Sequence, residues 1–247
     1  MNTILITGCS SGFGLETARY FHEHGWNVIA TMRTPREDIL PTDDRLRVLP
    51  LDVTDSESIA QVVKVAGPID VLVNNAGIGW LNALEGSPIE TIRDIFETNT
   101  FGTMTMMQAV LPQFRERKAG VIVNVTSTVT WMSLPLLSVY TASKAAVNAF
   151  SESVAIELRP FNVRVNVVLP GRAPETRFAD NAMGRMNGFP EVYQELAQST
   201  MEGWEKDTSE LTKSIDVAEA IWRAVTDPTT PFFEPAGADA VALGNSS

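Results

Sequence analysis

The sequence predicts a doubly wound α/β protein, a parallel sheet covered on both faces by helices, and three observations carry that prediction. Short apolar runs rich in branched residues recur at 3–7, 27–31, 46–50, 69–73, 120–125 and 162–168. They are apolar throughout rather than alternating, as strands buried on both faces must be. Helix-period stretches separate most of them and supply the crossovers that parallel strands need. The 247 residues suffice for one large core, and no linker, low-complexity tract or internal repeat divides them, so a single domain over 1–247 is expected.

The first strand, "TILIT", empties into "GCSSGFG", where Gly8, Gly12 and Gly14 precede the helix pattern "LETARYFHEHG". Glycines at this point let the backbone turn tightly and approach a pyrophosphate, whose charge would meet the free amides of a helix N-terminus. The gap between the first two glycines departs from GxGxxG spacing, and an ordinary tight turn is the competing reading. Position between a first strand and a helix favours the anion site. The second strand, "NVIATMR", ends at Met32 and Arg33. An acidic side chain here would accept the ribose hydroxyls of NAD; Met32 cannot, whereas the Arg33 guanidinium can pair with a 2′-phosphate. NADP is therefore expected over NAD, with Arg36 as a second contact, the alternative being that Arg33 merely solvates a loop.

After the third strand, in "PLDVTD", Asp52 either accepts from an adenine amino group with Val53 packed on the base, or caps the helix starting near Ser56. "NNAG", Asn74 to Gly77, closes the fourth strand with small residues that let a cofactor pass closely; an Asn/Gly turn is the plainer alternative. Asn99, in "FETNTFG", is polar within a mainly apolar helical stretch and either satisfies helix backbone or holds a water that feeds protons to Lys144. Ser127 ends the fifth strand, "VIVNVTS", where its hydroxyl can donate to a substrate oxygen; Thr126 is the local competitor.

"SVYTASKAAV" then places a phenol, Tyr140, and an ammonium, Lys144, four residues apart on one side of a helix. A phenol is a poor base at neutral pH, and a nearby ammonium favours its anion. Tyr140 can then give a proton to a developing alkoxide or take one from an alcohol. Beyond the sixth strand, residues 171–211 are rich in Gly, Pro, Met and Arg and read as an insertion or lid. "SIDVAEAIWRAVTDP" and "PFFEPAGADAVALG" read as a last helix, an edge strand and a tail.

Lys+Arg 19 against Asp+Glu 30 gives a net charge of −11, which disfavours nucleic acid and anionic membrane as partners. The single cysteine, Cys9, excludes an internal disulfide framework and a multi-cysteine metal site, so no metal is expected. "MNTILITG" runs directly into a strand, no apolar run approaches the roughly 20 residues that span a bilayer, and a cytoplasmic location is expected.

Taken together, the TGxxxGxG segment Thr7 to Gly14, Asn74-Asn75-Ala76-Gly77, Asn99, Ser127, the YxxxK pair Tyr140/Lys144 and Pro170-Gly171 occur in an order that resembles the short-chain dehydrogenase/reductase family over essentially the whole chain. "GCSSGFG" and "ATMRTP" resemble most its 17β-hydroxysteroid and retinol dehydrogenase branch, which also holds bacterial enzymes. The resemblance implies a Rossmann fold of strand order 3-2-1-4-5-6-7 and reversible hydride transfer between NADP(H) and a ketone, aldehyde or secondary alcohol. Tyr140 would be the acid or base, Lys144 would lower its pKa and anchor the nicotinamide ribose, Ser127 would polarise the carbonyl, and Asn99 would support the proton relay. Cofactor contacts are implied for Gly8, Ser10, Ser11, Gly12, Phe13, Gly14, Arg33, Asp52, Val53, Asn75, Ala76, Gly77, Tyr140, Lys144, Pro170, Gly171 and Thr176. In the family a threonine stands four residues beyond the glycine of "PG". Here Glu175 stands there and Thr176 follows, so either a one-residue bulge brings Thr176 to the nicotinamide or the contact is absent.

Specificity is expected from Trp80, Trp131, Leu134 and Leu136 and, in the lid, from Met183, Met186 and Phe189, which would suit a bulky apolar carbonyl compound. Apolar positions on several sides of 89–111 and 139–158 suggest burial against a second subunit, as a homodimer or homotetramer. The competing readings are an NAD-dependent alcohol dehydrogenase of the same family, a cofactor-binding regulator without turnover, and a nucleotide-sugar epimerase or dehydratase. The regulator would be expected to lack one of Ser127, Tyr140 and Lys144, and the epimerase would need a larger segment after residue 170.

Overall fold

The computed structural model describes residues 2–176, 189–207 and 210–245. Its sheet has seven parallel strands in the order β3-β2-β1-β4-β5-β6-β7, the order that the family resemblance implied. In chain order the elements are β1 (Thr3–Ile6), α1 (Gly12–Glu23), β2 (Asn27–Met32), β3 (Leu46–Pro50), α2 (Ser56–Ala66) and β4 (Val71–Asn74). There follow α3 (Ile89–Phe96), a wide π-helical turn (Glu97–Phe101), α4 (Gly102–Arg117), β5 (Gly120–Val125), α5 (Ser138–Leu158) and β6 (Val163–Pro170). The chain closes with α6 (Gln194–Lys206), α7 (Ser214–Thr226), β7 (Phe233–Ala236) and α8 (Ala238–Gly244).

The continuous apolar runs have a simple packing origin. Along β1, Ile4 and Ile6 enter one core with Phe21 of α1 and Ile221 of α7, while Leu5 enters the opposite core with Met106 and Phe114 of α4. Alternate side chains therefore meet helices on both faces, and a polar residue in a strand is costly unless it finds a partner, as Asn74 of β4 does by donating Nδ2 to Asn124 Oδ1 of β5 at 2.9 Å. The sixth strand begins at Val163 rather than 162 because Asn162 adopts a left-handed conformation, φ 53°, that ends the preceding turn. β7 pairs with β6 at the sheet edge, as Val167 with Phe233.

Of the two readings of Asp52, the helix cap is incorrect. Asp55 is the residue before α2 and accepts the Glu57 N–H at 2.9 Å. Asp52 instead closes a local turn, accepting the Thr54 N–H at 3.0 Å and the Thr54 hydroxyl at 2.8 Å. Within 171–211 the structure shows a helix, α6, and no strand among the described residues. No described helix is long and apolar enough to cross a membrane.

Candidate active site

The strand order reverses between β2-β1 and β4-β5, and the carboxyl ends of these strands open a cleft of about 600 Å³. Open α/β sheets place their ligand sites at such a crossover. Thr7, just past β1, ties the crossover shut: its hydroxyl accepts the N–H groups of Asn75 at 3.0 Å and Ala76 at 2.9 Å. Asn75 answers by donating Nδ2 to the carbonyls of Thr7 at 2.9 Å and Gly8 at 3.2 Å.

Between them runs the glycine loop, and two of its glycines are dictated by space. Gly8 has φ 77°, and a Cβ there would lie 2.8 Å from the Ala76 Cα. A Cβ on Gly14 would lie 2.4 Å from the Gly8 carbonyl oxygen and 2.5 Å from Asn75 Nδ2. The loop can therefore sit this close to β4 only without side chains, which leaves the first turn of α1 open to the cleft. That turn carries no acidic residue, so its free amides face the cleft with their partial positive charge intact. A pyrophosphate fits this donor set.

Of the residues expected to touch a cofactor, Gly8, Ser10, Ser11, Gly12, Phe13, Arg33, Asp52, Val53, Asn75, Ala76, Gly77 and Thr176 line the cleft. Gly14 lies under the loop, as its contacts show. Pro170 and Gly171 are not among the lining residues; a Cβ on Gly171 would lie 2.2 Å from the Asp239 carboxylate, and the Gly171 N–H donates to Thr212 Oγ1 at 3.0 Å. Their place is the junction of β6 with the chain around α8. The reading of the PG segment as a cofactor contact thus meets a residue, Asp239, that the sequence offered no way to find. Arg36 is exposed and reaches Asp38, 3.5 Å away, rather than the cleft. Arg33 is exposed, and among the described lining residues it is the one cation. Asp52 is held below the ordinary carboxylate range, first by the Thr54 N–H and in smaller part by the Thr54 hydroxyl and the charge of Arg33.

Thr176 reaches the cleft through the extra residue. Its N–H and hydroxyl both turn back to the Ala173 carbonyl, at 3.1 and 2.8 Å, and its side chain lies 3.3 Å from where a Gly12 Cβ would stand. Glu175 points away and accepts the Ser214 N–H at 2.8 Å, at the start of α7. A turn over 173–176 thus sets Thr176, rather than Glu175, on the cleft wall.

Four buried side chains gather at the Gly77 end: Asn99, Ser127, Tyr140 and Lys144. A Cβ on Gly77 would lie 3.3 Å from both Asn99 Oδ1 and Lys144 Nζ. Asn99 sits in the π-helical turn, where the slipped hydrogen-bond register presents it inward. Its Oδ1 accepts the Ile78 N–H at 2.8 Å, and its Nδ2 donates to the Ile78 carbonyl at 2.9 Å and to Ser143 Oγ at 3.0 Å. Ser127, rather than Thr126, hydrogen-bonds the Tyr140 phenol; the Thr126 hydroxyl is buried without a partner.

Burial pushes the Tyr140 phenol up, and the Ser127 hydrogen bond opposes it. Burial also pulls the Lys144 ammonium down to about 8, while its Nζ donates to the Val125 carbonyl at 3.0 Å and lies 6.0 Å from the centre of the Tyr140 ring. The phenol's position is thus set by burial, which raises it, against the Ser127 hydrogen bond, which lowers it.

The substrate-side expectations divide. Trp80 is not a pocket wall: it is buried against Ile95 and Val139, with its indole N–H donated to Ser87 Oγ at 2.8 Å. Trp131 is half-buried and packs toward Gly244 of α8, and Leu134 is half-buried. Leu136 and Phe189 do share an apolar cluster with Leu81, Ala197, Met201 and Trp204 beneath α6. Met183 and Met186 lie outside the described residues. The sequence reading missed Asp94, Glu97 and Thr98, which also line the cleft; their position within one and a half helical turns before Asn99 was the available signal.

The family described as short chain dehydrogenase matches residues 2–184. The 3-ketodihydrosphingosine reductase of Bacteroides thetaiotaomicron is 37% identical over 93% of this chain and 85% of its own length. Retinol dehydrogenase 8 of Bos taurus is 40% identical over 68% of this chain, a stretch that spans 58% of that protein. Among solved structures, a short-chain dehydrogenase from Streptomyces avermitilis superposes with a TM-score of 0.83 at 33% identity, covering 99% of this chain and 91% of its own. A short-chain dehydrogenase from Burkholderia cenocepacia in complex with NADP has a TM-score of 0.78 at 26% identity, covering 99% and 92%. A 3-ketoacyl-(acyl-carrier-protein) reductase from Brucella melitensis complexed with NADH has a TM-score of 0.77 at 28% identity, covering 95% of each chain. On the glycine cradle, the buried Ser127–Tyr140 pair beside Lys144, and these matches, the chain belongs to the short-chain dehydrogenase family, nicotinamide-dependent oxidoreductases that pass hydride between NAD(P)(H) and a carbonyl or alcohol.

Proposed function

We propose that this protein is an NADPH-preferring reductase of apolar ketones, in which Tyr140 is the proton donor. The observation that carries the reading is the arrangement of one cleft: Arg33 lies at one end, and Asn99 and Lys144 flank Gly77 at the other. The amides opening α1 would hold the pyrophosphate, Arg33 the 2′-phosphate, and Asp52 and Val53 the adenine. Asn75 to Gly77 and Thr176 would flank the nicotinamide portion, and Lys144 would bind its ribose. When bound, the nicotinamide supplies or accepts the hydride.

The Ser127 hydroxyl donates to the substrate carbonyl oxygen and fixes its position beside Tyr140. The raised phenol is protonated at neutral pH, which is the form a general acid needs, and it gives its proton to the oxygen as alkoxide character develops. The Lys144 charge then stabilises the phenolate that remains, and Asn99 holds the path by which the proton is replaced. In the oxidative direction the same groups run in reverse, from a phenolate that burial disfavours.

Residues 1–247 act in this reading as one NAD(P)-binding unit with 171–211 as a lid, and the apolar cluster under α6 favours a bulky apolar substrate. A relative that is a 3-ketodihydrosphingosine reductase supports a ketone and the reductive direction. Phe101 and Ile156, at the end of the π-helical turn before α4 and on α5, are 49% and 61% exposed and support a homodimer or homotetramer through these helices.

The test is a titration with NADPH and NADH, followed by reduced-nicotinamide absorbance with cyclohexanone, acetophenone and 2-decanone. Tighter NADPH binding and faster turnover of the larger ketones are expected. Equal affinity for the two nucleotides would overturn the NADP assignment, and binding without reduction of any ketone would overturn the substrate assignment.

A further inference from the structure

We propose that Ser143 is a positioning residue, whose hydroxyl couples the helix carrying Tyr140 and Lys144 to the Asn99 amide and so holds open the proton path at the Gly77 end of the cleft. The proposal rests on the roles given above to Tyr140, Lys144 and Asn99.

Ser143 is fully buried in α5, between the phenol and the ammonium. Its Oγ donates to the Tyr140 carbonyl at 2.7 Å and receives Asn99 Nδ2 at 3.0 Å, and its own carbonyl accepts the Thr100 hydroxyl at 3.0 Å. A serine hydroxyl has one proton, and a carbonyl can only accept. With that proton given to Tyr140, the Ser143 oxygen is left as an acceptor, so the group facing it from Asn99 must be the amino group. Ile78 enforces the same orientation from the other side through its N–H and carbonyl. Both Nδ2 protons and one Oδ1 lone pair are then engaged. The remaining acceptor capacity of Oδ1 lies beside Gly77, where a Cβ would meet Oδ1 and Lys144 Nζ at the same 3.3 Å. Asn99 stands in a π-helical turn, a feature frequent at functional sites, and its side-chain amide is tied from two sides. Ile78 ties it to the loop after β4; Ser143 ties it to the helix that moves protons.

The experiment compares Ser143→Ala with Thr100→Val in the full chain. Thr100→Val removes a neighbouring tie between the same two elements without touching Asn99, and so reports a merely structural role. The side-chain amide protons of Asn99, followed by ¹⁵N NMR, are expected to lose hydrogen-exchange protection in Ser143→Ala and keep it in Thr100→Val. In Ser143→Ala, kcat for ketone reduction is expected to fall on the order of 10- to 100-fold. NADPH affinity and ketone KM should stay near wild type and the solvent deuterium isotope effect on kcat should rise, while Thr100→Val stays near wild type throughout. Should Ser143→Ala not fold, the near-isosteric Ser143→Cys, a poorer donor and acceptor, carries the same comparison. Continued protection of Asn99, or kinetics shared by the two variants, overturns the proposal. Turnover retained by Tyr140→Phe would overturn the proposed function itself; an inactive Tyr140→Phe beside a Ser143→Ala indistinguishable from Thr100→Val overturns the Ser143 role alone.

Discussion

At the nucleotide end of the cleft a glycine loop brings backbone amides to the wall beside one exposed arginine and the side chains of Ser10, Ser11 and Asp52, whereas at the Gly77 end four buried side chains gather. The first end works by leaving side chains out: an added Cβ at Gly14 has nowhere to go. The second works by burying polar groups and giving each a partner, with Ser127 on Tyr140, Val125 on Lys144, and Ile78 and Ser143 on Asn99. Changes at the first end should therefore alter affinity or packing, and changes at the second should alter the rate.

The sharpest way to break this contrast is Tyr140→Phe. Loss of the proton donor should lower kcat by about 10²- to 10⁴-fold while NADPH affinity, measured by fluorescence titration, stays near wild type. A parallel loss of affinity would show that the two ends are not separable. Arg33→Ala is the counterpart at the other end: NADPH binding should weaken by about 10- to 100-fold, NADH binding should change little, and kcat at saturating cofactor should persist. Equal losses for both nucleotides would remove Arg33 as the reader of the 2′-phosphate.

A smaller effect comes from pH. Lys144 is cationic below about 8 and loses its charge as pH rises through that value. Its support for the phenolate is thus present on the acid side and lost on the alkaline side. Reduction at saturating substrate should be level near neutrality and fall by roughly tenfold at one unit above the transition. A rate that climbs over that range would mean that a deprotonated group limits reduction. The least effect on chemistry is expected from Gly14→Ala. Its Cβ would force the loop away from β4, costing about 1–3 kcal/mol of stability by thermal melting and weakening NADPH and NADH alike. Unchanged melting would show that the loop has room that its contacts do not suggest.

The fold was legible because burial on both faces of a sheet leaves its mark on every strand residue, and each of the seven strands was visible in the sequence as an apolar run or an edge segment. The glycine loop and the Tyr140/Lys144 spacing were legible for a similar reason, since local geometry forces residue type at neighbouring positions. Trp80 was misread because a large aromatic near a cleft looks the same in sequence whether it lines the cavity or fills the core behind it. Asp52 and Asp55 both stand before α2, and only the coordinates show which one meets the helix amides.

What the sequence determined by itself, then, is whatever depends on neighbours along the chain: the strand and helix periods, the turn that demands glycine, and a phenol and ammonium one helical turn apart. What the tertiary structure alone decided is whatever depends on elements meeting from far apart. Thr176 rather than Glu175 turns to the cleft because Glu175 finds the N-terminus of α7, 39 residues away. Asp239 stands against Gly171, and Ser143 receives Asn99 across a separation of 44 residues. The physical reason is that a hydrogen bond or a close contact needs proximity in space, and packing, not spacing along the chain, supplies it.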